Sequence, residues 1–124
     1  MATSIRITAG DVSIEAELND SATAEAIAEE LPIKGSANRW GDEIYFSIPI
    51  DEDEADDART EMAVGELAYW PPGNAFCIFW GRTPASEGDE PRAASNVNPI
   101  GMIAGDASVL AQVDSGAPIR IEAS

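Results

Sequence analysis

A short polar and aromatic cluster, NRWGDE, occupies residues 38–43. The guanidinium of Arg39 can donate two parallel hydrogen bonds to a carboxylate or a carbonyl, and it can stack on an aromatic ring. Trp40 supplies such a ring, and Glu43 adds a carboxylate where an apolar run begins. These residue types fit the binding of a small molecule or a peptide. In the structural alternative, Arg39 pairs with Asp42, with Glu43 or with a carboxylate across the fold.

The stretch LAYWPPGNAFCIFWGRTPAS, residues 67–86, holds two of the three tryptophans. Tyr69 and Trp70 end one apolar run of this stretch, and Arg82 follows the next one. Binding residues are frequent where strands end and loops begin. We therefore predict Tyr69, Trp70 and Arg82 as further ligand contacts, beside Arg39, Trp40 and Glu43. The other aromatic side chains of the stretch are predicted to be core.

Several kinds of reactive site have no support in the composition. The chain has no histidine, which excludes Ser-His and Cys-His nucleophile pairs and histidine-ligated metals. Cys77, the only cysteine, stands in an apolar run without a basic neighbour, so we predict a buried and inert thiol. We therefore predict no catalytic residue, no metal site and no cofactor.

The segment DEDEADDARTE, residues 51–61, carries seven carboxylates and one arginine. Asp51 and Asp53 match the first two ligand positions of a calcium-binding EF-hand loop, but Ala55 stands at the third and no glycine follows. A solvated acidic loop is the better interpretation. A further hypothesis stays open, that the protein is an interaction module that binds its partner through this loop.

The charge balance excludes some partners. Twenty-three acidic residues face seven basic ones, for a formal net charge of −16. Nucleic acids and anionic membranes require basic surfaces, so we predict that neither is a partner. The acidity fits adaptation to high salt, or simply a highly soluble acidic protein.

Location is predicted from the same features. No apolar run approaches the roughly 18 residues that cross a bilayer. The first residues lack the basic and apolar regions of a secretory signal. A lone cysteine agrees with a reducing compartment. We predict a cytoplasmic protein.

The pattern of apolar residues predicts the elements that position these side chains. Residues 5–18 alternate around Ala9-Gly10-Asp11, which predicts an antiparallel hairpin. Apolar residues then recur at helical spacing from Thr23 to Leu31, after the candidate N-caps Asn19, Asp20 and Ser21 and before Pro32. This predicts one short amphipathic helix.

The rest of the chain reads as short strands separated by turns. Strands are predicted at residues 43–50, 66–70, 75–80, 98–104, 108–113 and 118–122, although 108–113 also fits a helical turn. Residues 75–80 are apolar on both faces, as in a central strand covered by the helix. Residues 51–61 and 83–96 are predicted to be solvated loops. The whole chain, residues 1–124, is predicted to be one mainly β domain, a small closed barrel with one short capping helix.

Three segments carry a resemblance to a known family: NRWGDEIYF, GELAYWPPGNAFCIFWGRTP and VNPIGMIAGD. Together they resemble the cyclophilin-like proteins, a small prokaryotic family of unknown function with a minimal cyclophilin-type β-barrel. The resemblance extends from about Ile5 to Glu122, with the elements in the expected order. It implies a barrel of cyclophilin type.

The motifs of the prolyl isomerases in the true cyclophilin family are missing. Those enzymes carry Phe-His-Arg after the helix, a Gln-x-x-x-Gly-Gly-Asp-Phe segment and a Gln-Phe-Phe wall. Here the comparable segments read NRWGDEIYF and AFCIFW, with Arg39 but without the polar partners. We expect non-enzymatic binding of a small molecule or peptide in a groove at the side of the barrel. The alternatives are a weak or vestigial prolyl isomerase that uses Arg39, and the acidic interaction module.

Overall fold

An antiparallel sheet forms most of the fold in a computed structural model, which describes residues 3–124. In chain order the strands are β1 (Thr3–Ala9), β2 (Val12–Leu18), β3 (Ile33–Ser36), β4 (Asn38–Arg39), β5 (Glu43–Ser47), β6 (Arg59–Glu61), β7 (Glu66–Trp70), β8 (Ala75–Phe79), β9 (Arg92–Ala104) and β10 (Pro118–Ala123). One α-helix, α1, spans Ala22–Glu29, and 3₁₀ turns span Pro71–Gly73 and Ala107–Gln112. The strand order is β3-β10-β1-β2-β9-β7-β8-β5-β4, with β6 paired to β9. A mainly β fold with one short helix is thereby confirmed.

The predicted hairpin is formed by β1 and β2. Ala9 pairs with Val12, so the turn consists of Gly10 and Asp11 alone. Gly10 takes a φ of +57°, which glycine adopts without the steric cost of a Cβ. The isoleucines of β1 point into the core, as the alternation of the sequence predicts.

The predicted helix is confirmed, with slightly different ends. The Ser21 hydroxyl accepts a hydrogen bond from the Ala24 amide at 3.2 Å and caps the first turn. The helix ends at Glu29 because Pro32 disfavours helical geometry at Leu31, the residue before it. The helix packs mainly against β2 and β9, and not over β8 as the sequence suggested.

The buried side chains form two clusters on opposite faces of the sheet. The main core joins apolar residues of α1 and of most strands, including Phe76 and Ile78 of β8. The second cluster consists of Met62, Ala68, Ala75, Cys77, Phe79, Ala93 and Val97. Successive residues of β8 therefore enter different clusters, which explains why this strand is apolar on both faces.

The two ends of the strand order, β3 and β4, follow each other in the chain. Only Ala37 separates them, and it exchanges backbone hydrogen bonds with the segment before β10: its amide donates to Ala117 and its carbonyl accepts from Gly116. Within residues 3–124 no ladder joins β3 to β4. Closure of the barrel by a continuous ladder therefore stays a prediction.

Several predicted boundaries are wrong. Residues 108–113 are not a strand but lie almost wholly in the second 3₁₀ turn, in agreement with the helical turn that they also fit. The Asp106 carboxylate accepts the Ser108 amide at 3.0 Å there. The strand predicted for residues 43–50 ends at Ser47. Strands β3 and β4 were not predicted from the sequence.

Both predicted loops contain strand residues at their ends. Arg59–Glu61 forms β6, which Arg59 anchors by pairing with the buried carboxylate of Glu66. β9 begins at Arg92 and runs for 13 residues, because its first part pairs with β6 and its later part pairs with β7 and β2. Small residues had made the start of β9 resemble a loop.

No helix within residues 3–124 has the length and apolar character needed to cross a membrane.

Candidate functional site

A cavity of about 230 Å³ opens beside the second cluster, and we call it the aromatic pocket. Its lining is Trp40, Glu43, Tyr45, Trp70, Cys77, Ala93, Ala94 and Val97. The three aromatic side chains are only partly buried, so each keeps surface that a ligand can contact.

The register of the sheet brings these residues together. Tyr45 of β5 is paired with Cys77 of β8, and Glu43 lies two residues before Tyr45 on the same face. Trp70 ends β7 opposite Ala75, one alternation further along that face. The first half of β9 covers the other side of the pocket with small side chains.

Trp40 reaches the pocket from the turn before β5. Its amide donates to the Glu43 carbonyl at 3.0 Å, which closes the turn. Gly41 has a φ of +64°, and a Cβ there would lie 2.8 Å from the carbonyl oxygen of Arg82. Glycine is therefore required for this turn to pack against residues 82–83.

Glu43 is the charged group of the pocket. Its side chain belongs to a residue that is only 5% exposed, and no arginine or lysine of the described chain pairs with it. Burial raises the pKa of Glu43 from its ordinary value of 4.5 to about 7, although the Cys77 thiol acts in the opposite direction. The carboxyl therefore changes its charge near neutral pH.

Cys77 is buried, as predicted. Burial, together with the nearby Glu43 carboxyl, raises the pKa of the Cys77 thiol well above its ordinary value. The thiolate is the nucleophilic form, so this environment suppresses reactivity.

The structure brings three of the six predicted contact residues together: Trp40, Glu43 and Trp70 all line the aromatic pocket. The indole nitrogen of Trp70 donates to the Ser95 hydroxyl at 2.7 Å, which fixes the ring at the edge of the pocket.

Arg39 lies outside the lining of the aromatic pocket. Its Nη1 donates to the carbonyls of Ala111 and Val113 at 3.2 and 3.0 Å, and its Nε donates to Gly41 at 3.1 Å. The guanidinium also lies 5.0 Å from the ring centre of Trp80 and 3.6 Å from the Asp42 carboxylate. The contact with Asp42 matches the structural alternative, whereas the hydrogen bonds to backbone carbonyls were not predicted.

Tyr69 and Arg82 also lie outside the lining. The surface position expected for Tyr69 is wrong: its ring is fully buried in the main core, where its hydroxyl is satisfied by Ile50, Glu52 and Asn74. Arg82 is exposed as expected, but the pocket does not include it.

The sequence missed the other lining residues. The alternation of EIYFS could have placed Tyr45 on the side of Glu43, because residues two apart in a strand share a face. Ala93 and Ala94 were not recognised because they lie in the small-residue segment predicted to be a loop, residues 83–96, and Val97 stands between that loop and the strand predicted from residue 98.

The acidic segment is tied to the body of the protein by its backbone. The Asn98 side chain accepts the Ala55 amide at 2.8 Å and donates to the Asp53 carbonyl at 2.9 Å. No group of three or more potential metal-ligating side chains occurs in the described part of the chain.

An antiparallel sheet with one short helix defines a small, mainly β protein. The model of the family described as Cyclophilin-like matches residues 3–122, and the chain belongs to this family. The chain is similar to the hypothetical protein AF2241 from Archaeoglobus fulgidus, known from a solution structure. The two are 38% identical with a TM-score of 0.83, over 98% of this chain and 95% of that one. No curated protein matches the sequence.

Proposed function

We propose that the protein binds a small molecule, or a side chain of a peptide, in the aromatic pocket without catalysing a reaction. The observation that supports this is the convergence of Trp40, Tyr45 and Trp70 on a cavity that also has the carboxyl of Glu43 in its lining. Aromatic walls with a few polar groups are typical of ligand sites.

The volume of the pocket limits the size of the ligand. At about 230 Å³ it is smaller than the roughly 300–1,000 Å³ of pockets that hold drug-sized molecules. It therefore suits a compact molecule or one side chain of a peptide.

The alternative of a weak prolyl isomerase depends on Arg39. The Nε and Nη1 of its guanidinium donate to Gly41, Ala111 and Val113, and Nη2 lies 3.6 Å from the Asp42 carboxylate, so the group is held in place by the protein itself. We expect no isomerisation of a proline-containing peptide above the uncatalysed rate. Robust catalysis that is lost in Arg39→Ala would favour the isomerase instead.

The chain's own tryptophans provide the binding test. In a fragment screen followed by NMR, ligands of the aromatic pocket should shift the indole signals of Trp40 and Trp70. Trp80 serves as an internal control because it lies in the main core.

A matched pair of variants locates the binding. Ala94 is exposed and lines the pocket, so Ala94→Phe should fill the pocket and abolish the shifts. Ala104→Phe places the same ring at another exposed position of β9, outside the pocket, and should leave them unchanged. Binding that survives Ala94→Phe, or a screen in which no fragment shifts either indole, would contradict the proposal.

The net charge and the cysteine content support a further proposal, about the environment in which the protein works. We propose a cytoplasmic location and adaptation to high salt, on the basis of the net charge of −16 and the single buried cysteine.

The alternative that the protein is an interaction module is tested by a pull-down with and without residues 51–61.

A further inference from the structure

We infer that the aromatic pocket selects organic cations, namely ligands with an alkylammonium group. Glu43 and the surrounding aromatic rings both bind that group. This inference rests on the proposed binding function and specifies its ligand class. It follows from the kinds of side chain that line the pocket and from those that do not.

The first argument is the aromatic lining. Trp40, Tyr45 and Trp70 surround one small cavity, and all three remain partly accessible. The face of an aromatic ring carries partial negative charge and attracts ammonium groups, most strongly where water is excluded. Three such rings around one cavity favour a methylated or alkylated ammonium over a neutral group of the same shape.

The second argument is the sign of the charge. Among residues 3–124, Glu43 is the only charged group in the lining, and neither lysine nor arginine lines the pocket. The titratable neighbours are Cys77 on β8 and Tyr45 on the same strand, while β9 contributes only alanine and valine side chains. Within residues 3–124, no lysine or arginine therefore competes for the carboxylate.

The third argument is that the buried carboxyl has no ion-pair partner within the described chain. Burial disfavours a lone carboxylate, and a bound cation offsets that cost by direct pairing. A cation should therefore bind together with the ionised form of Glu43. The net charge of −16 adds a general attraction for cations and a repulsion for anions.

A neutral ligand is the competing possibility, because a protonated Glu43 could donate a hydrogen bond to a carbonyl or hydroxyl. Choline and 3,3-dimethylbutan-1-ol separate the two cases, since they have nearly the same shape and differ in charge. We expect choline to bind at least roughly tenfold more tightly at pH 8, at constant ionic strength, in titrations followed by NMR.

The affinity for choline should depend on pH in one direction. Lowering the pH from 8 to 5 protonates Glu43 and should weaken choline binding, whereas the alcohol should not lose affinity. Glu43→Gln should bind choline at least roughly tenfold more weakly than the unsubstituted protein at pH 8, without the pH dependence. Glu29→Gln removes an exposed carboxylate from α1 and should behave like the unsubstituted protein.

The ammonium group could belong to a free amine or to a lysine side chain. A second arm therefore uses Nα-acetyl-trimethyllysine amide beside choline. Binding of choline alone assigns the pocket to free amines, and binding of the lysine derivative assigns it to peptide side chains. Either result supports a cation pocket.

Equal affinity for choline and its neutral analogue would overturn the inference, while the proposed binding function would survive. Unchanged choline binding in Glu43→Gln would overturn it as well. If that variant does not fold, the pH dependence of the unsubstituted protein decides: affinity that is constant from pH 5 to 8 refutes the role of Glu43. Absence of binding by both probes also refutes the inference, whereas the proposed function fails if the wider fragment screen is empty or if binding survives Ala94→Phe.

Discussion

Replacing Glu43 with glutamine should stabilise the protein at alkaline pH and have a much smaller effect in acid. The carboxyl is buried in the folded protein, where its pKa is about 7, and it regains its ordinary value of 4.5 when the chain unfolds. The difference is about 2.5 pKa units, and each corresponds to about 1.4 kcal/mol. The cost of ionising Glu43 in the folded state is therefore about 3 kcal/mol.

The sign of the effect follows from proton binding. Below pH 4.5 Glu43 is protonated in both states and does not disfavour folding. As the pH rises from 4.5 to 7, the unfolded chain releases this proton while the folded protein keeps it, so the free energy of unfolding falls. Above pH 7 both states are ionised and the loss is complete. Glutamine never ionises, so the variant escapes this loss.

Urea unfolding followed by tryptophan fluorescence measures the effect at several pH values. The free energy of unfolding of Glu43→Gln minus that of the unsubstituted protein should increase by about 3 kcal/mol between pH 4 and pH 8. Any constant cost of burying the amide cancels in this comparison. Glu29→Gln, at an exposed position of α1, should show no such increase. A difference for Glu43→Gln that stays the same from pH 4 to 8 would refute the reasoning.

Three other perturbations test the structural interpretation. Tyr69→Phe removes a buried hydroxyl with three hydrogen-bond partners and should cost about 2 kcal/mol in urea unfolding; a neutral effect would contradict the burial of that hydroxyl. Arg39→Ala should cost about 2 kcal/mol because the carbonyls of Ala111 and Val113 lose their donor, and it should leave choline binding intact; the reverse pattern would place Arg39 in the site. The melting temperature should rise between 0.1 and 1 M NaCl, as the Debye length falls from about 10 to about 3 Å and the repulsion among residues 51–61 is screened. An unchanged melting temperature would show that the carboxylates are too dispersed to matter.

The elements that could be predicted are those with strong local periodicity. The hairpin of β1 and β2 and the amphipathic helix α1 each carry a pattern that only one kind of structure satisfies. The apolar run of residues 75–80 also predicted that β8 is buried on both faces. By contrast, β3, β4 and β6 are only two to four residues long and are defined by their partners in the sheet.

The candidate site could be predicted only in part, because it depends on register. Trp40 and Glu43 are neighbours in sequence, but the pairing of β5 with β8 and of β7 with β8 is what brings Trp70 to them. Arg39 and Tyr69 are polar or amphipathic side chains beside these residues, and the sequence did not show that their polar atoms bond to distant backbone groups. Nothing in the chemistry of the small side chains of β9 marks them as site residues.

The position of β10 between β1 and β3 has a consequence for how the domain folds. β10 is the last strand of the sheet to be synthesised, yet Ile7 of β1, the first strand, is paired with Ile121 within it. During translation, the edges of β1 and β3 that pair with β10 therefore stay unpaired until residues 118–123 leave the ribosome. Loop closure over more than a hundred residues is slow compared with hairpin formation. We expect the hairpin of β1 and β2 to form early and the insertion of β10 to complete the sheet only after the whole domain has emerged.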